Sequence, residues 1–81
     1  MEDRTVLRRI SDLVDEEHRL RDQVRSGEIS SEEERARLRE VEESLDQCWD
    51  LLRRRRAARA AGEDPDTQQP RSREQVERYL Q

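Results

Sequence analysis

Between Arg37 and Arg56 the chain reads RLREVEESLDQCWDLLRRRR, and five side chains in it recur at steps of three and four: Leu38, Val41, Leu45, Cys48 and Leu52. That rhythm follows the 3.6-residue turn of an α-helix and gathers the five on one stripe. Trp49 widens the stripe, and Arg53, Arg54, Arg55 and Arg56 end it. A helix with a single apolar stripe has to cover it against another element. The cover is upstream, where Val6, Ile10, Leu13 and Leu20 keep the same rhythm, followed by Val24 and flanked by Leu7 and Val14. Glu17 takes the one seam position where the rhythm calls for an apolar residue. Paired with Arg21 or Arg37, it would set the register of the two helices.

The connection is SGEISS, residues 26–31. Thr5 is the expected cap of the first helix, and Gly27 supplies a left-handed residue just past its end. Ser31 with Glu34, or Ser30 with Glu33, forms a capping box for the second helix. The acidic run Glu32-Glu33-Glu34 suits the positive end of that helix dipole. A turn this short forces the helices antiparallel, with Ile29 folded back over the closed end. The expected organisation is an antiparallel hairpin over residues 1–62, with helices at about 5–26 and 31–61 ended by Gly62, then a linker over 63–71 holding both prolines. A short amphipathic helical segment over 72–81, capped by Ser72, follows and docks through Val76, Tyr79 and Leu80.

The second helix outruns the first by about ten residues. RRRRAARAA, residues 53–61, therefore projects as a basic overhang without a core partner in the same chain. Charge distribution sharpens the contrast: residues 1–50 carry sixteen acids and nine arginines, whereas 53–60 carry five arginines and no acid. Charged residues make up 47% of the chain and apolar ones 30%, a thin supply for a core of its own. Self-association is the expected remedy, two hairpins forming a four-helix bundle.

Little here points to chemistry. Cys48 is the sole cysteine, which excludes an intrachain disulfide and a thiolate cluster and reads as a reduced, buried thiol. Asp15 and His18 have the spacing of a carboxylate–histidine metal pair, but such sites need the motif twice together with inward glutamates. No nucleophile–base set, phosphate loop or aromatic lining is present. The expectation is a non-enzyme with neither metal nor cofactor. Neither a signal-peptide run nor a stretch of about 20 apolar residues occurs, so the expected setting is cytoplasmic, away from any membrane.

The segments EEHRLR, GEISSEEE, LDQCWDLLR and GEDPD, with the closing VERYLQ, resemble a family of small actinobacterial proteins designated only as a domain of unknown function (family two-six-three-zero). The resemblance spans essentially the whole chain and implies a fold class without an activity; the Arg-only, Lys-free composition agrees with a GC-rich actinobacterial source.

The sequence thus predicts an all-α, coiled-coil-like hairpin that dimerises, with Val6, Ile10, Leu13, Leu20, Leu38, Val41, Leu45, Cys48 and Leu52 at its core or interface. Its expected role is a non-catalytic interaction or regulatory module whose partner surface is Trp49 with Arg53, Arg54, Arg55, Arg56 and Arg59. The alternative is a regulator that binds nucleotide or nucleic acid through the same arginines, although the −7 balance of residues 1–50 opposes it.

Overall fold

The computed structural model describes residues 2–80. It contains three α-helices, α1 (Asp3–Arg25), α2 (Ser31–Ala60) and α3 (Arg73–Leu80), with a 3-10 turn at Pro65–Thr67 and no strand among the described residues. α1 and α2 form the antiparallel hairpin. α1 and α3 both pack on α2 and not on each other, so the long helix lies in the middle of the molecule. Its extents, 51 × 26 × 13 Å, are those of helices laid side by side, since one helix with its side chains is about 10–12 Å across.

The turns obey the glycines. Gly27 adopts φ +80° and Gly62 φ +77°, the left-handed conformation that a side chain penalises. At the end of α1 the Gly27 N–H donates to the Val24 carbonyl and the Glu28 N–H to that of Gln23. The Gly62 and Glu63 amides do the same for Arg59 and Ala58 at the end of α2. Both ends are closed by this paired pattern, which satisfies carbonyls the helix itself cannot. At the start of α1 the expectation needs adjusting, while at the start of α2 one of the two expected caps forms. α1 starts two residues before Thr5, which lies inside the helix; the capping position falls to Glu2, whose side chain makes no cap. Ser30 caps α2, accepting from the Glu33 N–H at 3.1 Å, and Ser31 is the first helical residue.

The hairpin core has two parts. Val6, Ile10, Leu51 and Leu52 fill the open end, and Leu13, Leu20 and Val41 the closed end, with Leu45 and Cys48 bridging them. Ile29 packs on the closed-end group. Leu38, Leu45 and Cys48 are half-buried and not fully enclosed. Leu51, absent from the expected core, is buried. It sits about 100° round α2 from Leu52, on a flank that a two-helix hairpin would leave open. Glu17 pairs with Arg21 at 3.1 Å within α1, while Arg37 faces Glu33 at 3.9 Å.

Leu52 is 1% exposed, so Leu52→Ala should cost about 2–5 kcal/mol. Leu38→Ala, at a site already half open to water, should cost distinctly less. Urea denaturation of the two variants checks the ranking.

Candidate functional site

The last turns of α2 would stand bare beyond α1, and the chain solves this by doubling back. From Gly62 onward it runs along α2 as a strap, first the 3-10 turn and then α3. The strap starts with Asp64, whose side chain accepts from the Asp66 N–H and whose carbonyl accepts from the Thr67 hydroxyl. It is held down by side chains of α2 reaching for its main chain. Arg54 donates to the Gln69 carbonyl at 2.7 Å and to Gln68 Oε1 at 3.3 Å, and Gln47 donates to the Arg71 carbonyl at 2.7 Å. Asp50, 8% exposed, takes the Arg54 Nε at 3.0 Å and lies 3.8 Å from Arg71.

Arg55 is the centre of this arrangement. Its side chain is 4% exposed, unusual for an arginine unless it is paired with carboxylates. Nε donates to Asp3 at 2.7 Å; Nη1 donates to the Pro65 carbonyl at 3.1 Å and to Asp66 at 2.9 Å. Asp3 also accepts from Arg59. One guanidinium therefore ties the first turn of α1, the last turns of α2 and the strap together. Hydrogen bonds from Arg59 and then Arg55 hold the Asp3 carboxyl far below the usual carboxylate range. The Arg55 hydrogen bond lowers Asp66 in the same way.

The expected basic overhang is corrected by this geometry. Of its five arginines, Arg55 is enclosed, Arg54 is half-buried against the strap, and Arg59 is paired with Asp3. Arg53 and Arg56 point into solvent, with no ion pair within 4 Å among the described residues. Ala58, also on the overhang, is buried. The signal for this pairing in the sequence is the acidic GEDPD stretch, where Asp66, eleven residues beyond Arg55, falls within the expected linker.

α3 is closed by a reciprocal cap, the Ser72 N–H donating to Gln75 Oε1 while the Gln75 N–H donates to Ser72 Oγ, both at 3.1 Å. Of its three expected anchors only Val76 is buried; Tyr79 is 79% exposed and Leu80 52%. Glu77 lies against Asp46 of α2 with one carboxyl oxygen buried and lacking a hydrogen-bond donor. The contact with Asp46, aided by burial, raises the Glu77 carboxyl. Burial likewise raises the Cys48 thiol.

Trp49 is not core: it is 40% exposed, as are Leu7 at 43% and Val14 at 38%. Leu7 and Val14, seven residues apart, share a stripe on one flank of the α1 seam. On α2 the strap takes the flank bearing Leu51, Asp50, Arg54 and Ala58, and Trp49 lies on the opposite flank. Arg9 and Glu16 border a groove with Val41, Ser44 and Arg73 on the strap side, which puts Leu7 and Val14 on the same side as Trp49. His18 is exposed. Among the described residues no three His, Cys, Asp or Glu side chains are grouped to hold a metal ion, and no helix is long and apolar enough to cross a membrane.

A family model described as "Protein of unknown function (DUF2630)" matches residues 2–81. The chain belongs to this family. It is 53% identical over 77 residues to an uncharacterised protein of Mycobacterium bovis, covering 95% of this chain and 88% of that one. Two uncharacterised proteins of Mycobacterium tuberculosis match to the same extent. No solved structure matches.

Replacing Arg55 with Ala leaves Asp3 its bond to Arg59 and takes from Asp66 one of its partners, so the loss should fall near the low end of the range for charged hydrogen bonds, about 2 kcal/mol. Arg53→Ala should change stability by less than about 0.5 kcal/mol. Hydrogen exchange over residues 62–80 separates the two, rising only in the Arg55 variant. Because folding depresses Asp3 and Asp66 below their ordinary 3.8, their contribution is complete above that value and lost as pH falls below it. Glu77 has the opposite sign: its raised carboxyl favours docking of α3 when protonated and opposes it when ionised. Glu77→Gln should therefore slow exchange in α3 at pH 7 and have no such effect near pH 3.

Proposed function

We propose that this protein is a non-catalytic helical interaction module that works as a homodimer, joined through the flank carrying Leu7, Val14 and Trp49. What supports the reading is an asymmetry of cover. The chain spends its own strap on one flank of α2, mostly through polar contacts, and leaves Leu7, Val14 and Trp49 on the other flank about 40% exposed. Stacking two hairpins on that flank gives the second layer a helical core needs, here a four-helix bundle.

Magnitudes place the dimer as weak. Each of the three side chains still has about 1 kcal/mol of burial to gain, given 1.5–3 kcal/mol for complete burial. Six of them across a twofold axis give roughly 6 kcal/mol, before the cost of association. Charge supplies specificity: Glu42, Arg53 and Arg56 sit seven before, four after and seven after Trp49, on its side of α2. A twofold axis near Trp49 brings the arginines of each protomer to the acid of its partner. The two open arginines thereby serve a protein surface, while the nucleic-acid alternative has lost Arg54, Arg55 and Arg59 to internal pairs.

Sedimentation equilibrium tests this directly. Because the association cost is set against that gain, the native chain should dimerise with a dissociation constant weaker than about 100 μM, and Trp49→Glu should be monomeric with unchanged helicity. A native chain that stays monomeric at about 1 mM would sink the proposal.

A further inference from the structure

On the strap side a second feature is independent of the dimer. A groove of about 380 Å³ opens along α2 between α1 and the start of α3, and each helix contributes one guanidinium to its lining: Arg9 from α1, Arg37 from α2 and Arg73 from α3. These arginines differ from those of the strap lock. Arg54 and Arg55 make bonds of 2.7–3.0 Å to carboxylates. Arg37 and Arg73 reach their nearest carboxylates only at 3.9 and 4.0 Å, with side chains 53% and 45% exposed, and ion pairs of that kind contribute little. Arg9 has no ion pair within 4 Å among the described residues. Three weakly held guanidiniums from three elements line one concavity, and the two carboxylates of the lining, Glu16 and Glu40, leave one of their positive charges uncompensated.

We infer that this groove binds a phosphate monoester of a small molecule, its phosphate held among Arg9, Arg37 and Arg73. The planar guanidinium fork matches phosphate oxygens two at a time, and three of them suit a dianion better than a single carboxylate. The rest of the ligand is described by the remaining lining. Glu16 and Glu40 accept hydrogen bonds, so they favour a body with hydroxyl or N–H donors and oppose a bare polyanion. Leu13 and Val41 offer it an apolar patch. The volume falls within the range of small-molecule sites. A sugar phosphate and a nucleoside monophosphate share this chemistry.

The site is complete only while the strap is docked, because Arg73 begins α3. A ligand that bridges Arg73 to Arg9 and Arg37 must therefore stabilise the docked strap.

Isothermal titration of the full chain at low salt, with glucose 6-phosphate, a nucleoside 5′-monophosphate and inorganic phosphate as probes, decides the matter. At least one ester should bind below about 1 mM and more tightly than inorganic phosphate, and it should slow hydrogen exchange in residues 73–80. Arg9→Gln and Arg37→Gln lie outside the strap and should each weaken binding about tenfold, while Arg8→Gln, an exposed arginine of α1 that does not line the groove, should leave it unchanged. The inference is overturned if neither ester binds at about 1 mM, if inorganic phosphate binds as well as the esters, or if Arg8→Gln weakens binding as much as Arg37→Gln does.

Discussion

An arginine buried at the joint of three segments decides the shape of this molecule. Removing a guanidinium from water is costly unless its donors are matched. Arg55 meets that demand with two carboxylates and a main-chain carbonyl drawn from α1 and the strap. The bonds are directional, so they specify where the strap lies, which a few apolar contacts would not. Val76 is the single buried apolar residue of α3, and an eight-residue helix is unstable alone in water. The strap is thus positioned by charge and assisted by one hydrophobic contact.

This division of labour follows from composition. With charged residues at 47% of the chain, most of the buried apolar residues lie at the α1–α2 seam. The end of α2, which a larger protein would cover with another apolar element, is covered here by arginine, aspartate and backbone. The same economy leaves the opposite flank of the hairpin uncovered, with Leu7, Val14 and Trp49 available for a second copy.

The two flanks therefore differ in kind. One exposes Leu7, Val14 and Trp49 among charged residues that include Glu42, Arg53 and Arg56. The other holds the strap and the arginine-lined groove beside the start of α3, where local positive charge stands out from an otherwise acidic hairpin. Because α3 supplies part of that groove, strap and groove form one thermodynamic unit. The hairpin seam lies between the flanks and is shared by both.

The hairpin was legible in the chain because its cause is local and periodic. Val6, Ile10, Leu13, Leu20, Val41 and Leu52 are spaced to meet, and Gly27 and Gly62 stand where helix ends need a left-handed residue. Membership of a family whose activity is unknown added no site to that reading. Tertiary structure alone decided the fate of the arginines, since Asp3, Arg55 and Asp66 are far apart in sequence and no periodicity links them. Four consecutive arginines look alike on paper. Successive positions on a helix are turned by about 100°, so one neighbour is sealed in the joint, another grips the strap, and Arg53 and Arg56 are left to water. Which of them is covered depends on where the chain returns, and that is set by ion pairs between residues far apart in sequence.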